Sequence, residues 1–198
     1  MITKNSIKPL IVVGGVYYDG KWGVREVVGR HESVDPSAPG DIVYRILAAK
    51  VERKTVYVEG RHQTISTIGL TEHCSRESFA RWAQRSVTKD EKEGLLADLA
   101  AMRLKLTPNE MTLLNRVRQE FCGDFLKPIA GSSVSFDISE IRCVRGAAKK
   151  GLVSEWSSAN NPTRRGRILL TELGAAWIRT HPPEALDEAN QNTDGPAP

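Results

Sequence analysis

The residues of this sequence best suited to chemistry are clustered cations near its C-terminal end. Arg164, Arg165 and Arg167 stand within four residues of one another. Three arginines so close together are hard to place in a protein core. Because a guanidinium group donates forked hydrogen bonds that fit phosphate oxygens, this spacing predicts an exposed segment that meets a polyanion.

A second group of cations lies upstream, in the run ISEIRCVRGAAKKG. At about 100° per residue, Ile141, Val144 and Ala148 fall on the apolar side of a helix. The opposite side carries Ser139, Arg142, Gly146, Lys149 and Lys150, with Arg145 at its border. A basic helix face of this kind suits the DNA major groove, where arginine and lysine meet guanine edges and phosphates. Glycine costs a helix about 1 kcal/mol relative to alanine, and close approach of a neighbouring helix or of DNA would explain Gly146.

The charge distribution favours a nucleic-acid partner. The formal net charge is +4, from 28 basic and 24 acidic residues. Residues 182–198 hold four carboxylates and no lysine or arginine, so the rest of the chain carries +8. Residues 105–181 hold 12 basic and 7 acidic side chains, against 16 and 13 in residues 1–104. Excess positive charge concentrates polyanions near a protein and speeds their capture.

Patterns typical of enzymes and metal sites are absent from the sequence. Cys74, Cys122 and Cys143 are odd in number and far apart, which excludes a disulfide framework and a Cys-x-x-Cys knuckle. Residues 15–21 have the spacing of a phosphate-binding loop, but Trp22 stands where serine or threonine would bind Mg²⁺. We expect no enzymatic activity, no cofactor and no metal. The short apolar runs and the lack of a signal peptide predict a cytoplasmic protein without a membrane segment.

The first third of the sequence has the pattern of short strands. Five runs rich in apolar and aromatic residues span residues 9–18, 21–28, 41–51, 54–60 and 63–70. The pair Asp19-Gly20 suits a hairpin turn. Five short strands in about 60 residues predict an SH3-like β-barrel, because a flat sheet that small would expose one apolar face. A helix capped by Ser75, with Phe79 and Trp82 on one face, is expected to close the barrel.

Two further helices are predicted from their first turns. Thr88 caps an acidic first turn, and the apolar stripe behind it would either pack the two modules together or form a homodimer. Thr107, Pro108 and Glu110 make a complete helix start. The face that this helix buries carries Leu106, Leu113, Leu114, Val117 and Phe121.

The order of elements in residues 106–181 resembles the winged helix-turn-helix regulators, in particular multiple-antibiotic-resistance-type and PadR-type repressors. A capped helix is followed by a basic helix ending in KKGLV, a strand, a basic loop, a strand and an LT-x-x-G helix start. The resemblance implies a recognition helix at residues 139–150 and a wing tip at 160–167, whose arginines would reach the minor groove or its phosphates. The sequence departs from the family before Ser139, where Pro128 and Gly131 interrupt the required second helix.

These observations predict an α+β protein of two modules. We expect an N-terminal SH3-like β-barrel with its closing helix at 1–87, a helical connector at 88–105, a winged helix-turn-helix domain at 106–181 and a disordered acidic tail at 182–198. The predicted function is sequence-specific binding of double-stranded DNA by a transcriptional regulator, a repressor. The predicted DNA contacts are Ser139, Arg142, Arg145, Lys149, Lys150, Asn160, Asn161, Arg164, Arg165 and Arg167.

Two other functions fit the same composition. In the first, both modules dock on protein partners as an adaptor, and the basic surface meets an acidic protein. In the second, the barrel binds RNA, which requires exposed aromatic rings on which bases can stack. The cluster available for this is Tyr17, Tyr18 and Trp22, for which a cross-strand pairing role is the competing interpretation.

Overall fold

The computed structural model describes residues 8–31, 40–121, 129–156 and 165–182, with the backbone alone described at Phe121, Ile138, Glu155, Trp156 and Arg165. The fold is mixed α+β, as predicted. The chain divides into two compact units, Met1–Leu96 and Ala97–Pro198, and the division falls within the predicted connector. Among the described residues, no helix has both the length and the apolar composition needed to cross a bilayer.

The first unit is built on antiparallel strands. Its elements are β1 (Val16–Tyr18), β2 (Val24–His31), β3 (Asp41–Ala48), β4 (Arg53–Val58), β5 (Arg61–Ser66), β6 (Thr71–Ser75), α1 (Arg76–Trp82) and β7 (Arg85–Val87). Five of these strands form one sheet in the order β6-β3-β2-β1-β7. The strands β4 and β5 pair with each other in a separate two-stranded sheet.

Helix α1 packs its aromatic face against the five-stranded sheet. Ser75 caps the helix by accepting a hydrogen bond from the Ser78 amide at 3.3 Å. Phe79 is fully buried, with its ring centroid 5.5 Å from those of Tyr17 and Tyr44. The capped helix is confirmed, although it ends at Trp82. The chain then forms β7, which sequence reasoning missed and whose pairing with β1 depends on residues about 70 positions away.

The turn between β1 and β2 is organised by one carboxylate. Oδ1 of Asp19 accepts hydrogen bonds from the amides of Lys21, Trp22 and Gly23 at 2.8, 2.9 and 2.8 Å. Gly20 adopts a positive φ of 77°, which suits glycine. The predicted hairpin is confirmed, with a longer loop than a two-residue turn. Of residues 15–21, which have the spacing of a phosphate-binding loop, the amide of Lys21 is bound to Asp19 instead of being available to an anion.

The second unit surrounds a three-stranded sheet with helices. Helix α2 (Lys89–Ala101) enters it, and α3 (Pro108–Phe121), β8 (Ser133–Asp137), a 3₁₀ turn (Ile138–Glu140), α4 (Ile141–Lys149), β9 (Val153–Trp156), β10 (Arg165–Leu170) and α5 (Glu172–Thr180) follow. The strand order is β8-β10-β9, with both pairings antiparallel. The largest buried side chain of the core is Trp177 on α5, which is 1% exposed.

The predicted helix starts of this unit are confirmed by their hydrogen bonds. The amide of Thr107 donates to Glu110 Oε2 at 2.8 Å, and the amide of Glu110 donates to Thr107 Oγ1 at 3.4 Å. Thr171 caps α5 by accepting the amide of Gly174 at 3.1 Å. Its hydroxyl also donates to the carbonyl oxygen of Leu152 at 2.9 Å, which ties the start of α5 to the end of α4. The threonine of the LT-x-x-G pattern therefore caps α5 and also anchors its first turn to the preceding segment.

Strand β8 stands where the family pattern requires a second helix. Val134 and Phe136 are 1% and 3% exposed and alternate with the exposed Ser135 and Asp137. This period of two makes a strand, which pairs with β10 along five residues. Within residues 129–156, a single α-helix separates β8 from β9. The helix-turn-helix pair implied by the resemblance is therefore not formed by these residues.

Candidate nucleic-acid interface

Three cations form a stripe along the solvent side of α4. The helix buries Val144 and Ala147, both fully, against the core of the second unit. Arg142, Arg145 and Lys149 are exposed. Because the three positions are spaced i, i+3 and i+7, their side chains fall within about 60° of one another around the helix axis. We call these three residues the α4 stripe.

No described carboxylate forms an ion pair with the α4 stripe, because those nearby are bound elsewhere. Glu140 Oε1 lies 2.6 Å from Arg116 Nη1, and the Glu140 carboxylate also accepts the amide of Asp137 at 2.9 Å. Although burial raises the pKa of Glu140, these hydrogen bonds hold it below the ordinary value. The positive charge of the α4 stripe is therefore uncompensated within the described residues.

Lys150, predicted on the basic face of the helix, is half-buried and ion-paired, apart from the α4 stripe. Its ammonium lies 2.6 Å from Glu110 Oε2 and donates to the carbonyl oxygen of Lys105 at 2.9 Å. Glu110 is only 5% exposed and the Lys150 side chain 30%, so this ion pair is shielded from water on its carboxylate side. One position beyond Lys149, the helix has turned by about 100°, which carries residue 150 toward α3.

Gly146 faces the same carboxylate. A Cβ atom at this position would lie 2.8 Å from Glu110 Oε1, closer than carbon and oxygen atoms approach without a shift. The neighbouring helix α3, through Glu110, therefore accounts for the glycine without DNA. Burial raises the pKa of Glu110, but the hydrogen bonds from Lys150 and Thr107 outweigh it and hold this pKa below its ordinary value. Glu110 is thus a carboxylate built to stay ionised inside the domain.

Ser139 lies beside the stripe, exposed in the 3₁₀ turn, where its amide donates to Asp137 Oδ1 at 2.9 Å. A pocket of about 340 Å³ opens here between α3 and the start of α4. It is lined by Asn109, Thr112, Leu113, Ser139, Glu140, Arg142 and Cys143. The Cys143 thiol donates to the carbonyl oxygen of Asn109 at 3.0 Å, and burial raises its pKa. A protonated, hydrogen-bonded thiol is a poor nucleophile.

The predicted wing is described only in part. Strands β9 and β10 pair antiparallel, as predicted, and Arg167 is exposed on β10 with Ser135 and Trp156 as its cross-strand partners. Arg165 lies on the same strand, opposite Asp137 in the register. The predicted contacts Asn160, Asn161 and Arg164 lie outside the described residues.

The aromatic residues proposed for RNA stacking are not on the surface in the way that role requires. Tyr17 is 1% exposed, and its hydroxyl donates to the carbonyl oxygen of Leu10 at 2.7 Å, so that interpretation is wrong for this residue. Tyr18 and Trp22 are half-buried. Among the described tyrosine, tryptophan and phenylalanine side chains, Tyr57 on β4 is 67% exposed, and sequence reasoning missed it. The alternation of KTVYVEG and the turn at Glu59-Gly60 are the signals that could have found it.

Comparisons with models of known protein families, with curated proteins and with solved structures found no match to this chain. Within the described residues, no group of three or more histidine, cysteine, aspartate or glutamate side chains is placed to hold a metal ion.

Proposed function

We propose that the second unit binds double-stranded DNA and that the chain is a transcriptional regulator acting as a repressor. The observation that carries the proposal is the α4 stripe, three exposed cations on one helix face that no described carboxylate neutralises. A cluster of unpaired charge repels itself, so it is best compensated by a polyanion outside the protein. Duplex DNA supplies one negative charge per 1.7 Å of its axis.

The dimensions of α4 suit the major groove. Arg142 and Lys149 are seven residues apart, which places them about 10 Å apart along the helix axis. The major groove is about 12 Å wide and admits an α-helix, so such a stripe can reach both base edges and flanking phosphates. Arg145, between them on the same face, supplies the fork that pairs with guanine O6 and N7.

The elements around α4 support a winged-helix interpretation with one departure. Strand β8 of the three-stranded antiparallel sheet precedes the basic helix α4, and strands β9 and β10 follow it. Strands β9 and β10 pair with each other, and in the winged helix-turn-helix regulators that this sequence resembles such a hairpin carries the wing. Arg167 would add a backbone contact from this hairpin. Because β8 replaces the second helix, α4 is supported by α3 through the ion pair of Glu110 and Lys150 instead.

A salt series of binding to duplex DNA tests the proposal. Each phosphate contact that is lost reduces the slope of log affinity against log salt by about 0.9. We expect the triple variant Arg142→Ala, Arg145→Ala, Lys149→Ala to bind with a slope shallower by up to about 2.7. The matched control replaces three exposed cations of the first unit, Lys50, Arg76 and Lys89, by alanine and lowers the net charge equally.

The comparison separates local contacts from net charge. If both triple variants lose the same slope, the DNA responds only to total charge and the α4 stripe is not the contact. If the wild-type protein ignores duplex DNA at low salt, the DNA-binding proposal is wrong and the adaptor function takes its place. Selection of bound duplexes from a random pool then tests sequence specificity, because base contacts enrich a motif and phosphate contacts alone do not.

A further inference from the structure

Strands β4 and β5 form a slender ribbon in the first unit. They pair along six residues each, from Arg53↔Ser66 to Val58↔Arg61, and they join no other strand in the described part of the chain. The two residues that connect them, Glu59 (φ 49°) and Gly60 (φ 78°), both have positive φ, which is typical of a two-residue type I′ hairpin turn. The ribbon therefore has a narrow tip and two faces.

One face of the ribbon is anchored to the rest of the unit. Lys54, Val56 and Ile65 on this face are half-buried, and the Lys54 ammonium lies 2.8 Å from Glu72 Oε1 on β6. At the base, the hydroxyl of Thr67 donates to the carbonyl oxygen of Val51 at 2.7 Å. These contacts hold the ribbon in place, which an isolated two-stranded sheet could not do by itself.

The opposite face, which we call the outward face, is exposed at every position. It consists of Arg53, Thr55, Tyr57, His62, Thr64 and Ser66. Tyr57 and His62 are cross-strand partners whose ring centroids lie 5.1 Å apart at an angle of 62°. These six residues thus present two adjacent rings, three aliphatic hydroxyls and one guanidinium, without a carboxylate.

We propose that the outward face binds single-stranded nucleic acid, with an unpaired base stacked on Tyr57. An antiparallel surface that carries exposed rings beside hydroxyl and cationic side chains is suited to unstacked bases. The π-face of a base is accessible in a single strand, whereas in a duplex it is covered by the neighbouring base pairs. Arg53, on the same face, meets a phosphate of the bound strand.

This site goes beyond the duplex contact proposed for the second unit. It is formed by residues of the first unit and does not depend on the α4 stripe of the second. If Tyr57 and His62 served ribbon stability alone, they would act through their cross-strand contact. Such a role predicts a change in stability without a change in affinity, so affinity distinguishes the two.

The test measures binding of a fluorescently labelled oligothymidylate of about 12 nucleotides by anisotropy, a length within the usual site sizes. Stacking contributes about 1 to 3 kcal/mol per base, so Tyr57→Ala should weaken binding by about 5- to 150-fold. Tyr57→Phe keeps the ring and should bind within about twofold of wild type. Arg53→Ala should reduce the salt slope by about 0.7, the value for single strands.

Val58→Ala is the matched control, because Val58 is 42% exposed on the same strand but on the other face. We expect this variant, and duplex binding by Tyr57→Ala, to match the wild type. The proposal is overturned if wild-type protein does not bind the oligothymidylate, if Tyr57→Ala binds it like the wild type, or if Val58→Ala loses as much affinity. It is also overturned if Tyr57→Ala weakens duplex binding as much as oligothymidylate binding, since the ribbon would then contact duplex DNA. Loss of duplex binding in the α4 variant alone leaves this site unaffected.

Discussion

Replacing Lys150 and Lys149 one at a time should separate a structural cation from a DNA-binding one. In Lys150→Met the unbranched stem is kept, but the Glu110 carboxylate loses the ammonium that lies 2.6 Å away. Breaking a fully buried ion pair by removing one partner costs about 3 to 5 kcal/mol. Because the Lys150 side chain is 30% exposed, water compensates part of this loss, and we expect about 2 to 3 kcal/mol. Lys149→Met, on the exposed side, should change stability by less than about 0.5 kcal/mol.

The assay is urea denaturation at several pH values, with the salt slope of duplex binding measured in parallel. The lowered pKa of Glu110 means that its stabilising contribution is present above its ordinary pKa of 4.5 and is lost as the pH falls through the folded-state value. In Lys150→Met the carboxylate is buried without its cation, so its pKa rises. The difference in stability between the wild type and Lys150→Met should therefore be largest at neutral pH and shrink in acid.

Two results would refute this reasoning. Equal stability of Lys150→Met and Lys149→Met at neutral pH would show that the ion pair with Glu110 contributes nothing measurable. A stability difference that does not shrink in acid would show that ionisation of Glu110 is not its cause. For binding, Lys149→Met should reduce the salt slope by about 0.9 and Lys150→Met should leave it unchanged. A reduced slope in Lys150→Met would return that lysine to the set of DNA contacts.

Four further substitutions test the packing and the turns by chemical or thermal unfolding. Gly174→Ala should lower the free energy of unfolding by about 2 to 4 kcal/mol, because the added Cβ would clash with the Leu152 carbonyl oxygen. Gly94→Ala is the control: it has open space around it and should raise the free energy of unfolding by up to about 1 kcal/mol. Glu59→Asn should stabilise the protein by about 0.5 to 1 kcal/mol, since asparagine tolerates the positive φ of this turn better; an unchanged midpoint would contradict that reasoning. Phe79→Ala should cost about 3 to 5 kcal/mol, because its ring is fully buried, and a smaller loss would mean that the site collapses around the cavity.

The parts of the fold that could be predicted from the sequence are those fixed by neighbours in the chain. Ser75, Thr107 and Thr171 each cap a helix through a hydrogen bond to an amide three residues ahead. A bond over three residues is specified by two residue types and their spacing, so it is visible in the sequence. The Asp19-Gly20 turn was predictable for the same reason, although the number of amides that Asp19 binds was not.

The parts that sequence reasoning missed depend on residues far apart in the chain. Strand β7 has three residues and exists because Val87 pairs with Val16. Strand β8 has a period of two at Val134, Ser135 and Phe136, but it is only five residues long and its partner strand β10 lies about 30 positions away in the chain. The partner of Lys150 is 40 residues away, and a helical wheel shows which side a residue occupies but not what faces that side.

The pairing of individual carboxylates gives a stronger argument for function than the net charge of the chain. A charge of +4 on 198 residues is common and identifies no partner. The two carboxylates that flank α4, Glu110 and Glu140, are each bound by a cation from outside the α4 stripe. If Arg142 or Lys149 had been needed to stabilise the fold, these carboxylates were the available partners. Because Arg116 and Lys150 take them instead, the stripe keeps its charge free at the surface, where it can act on another molecule.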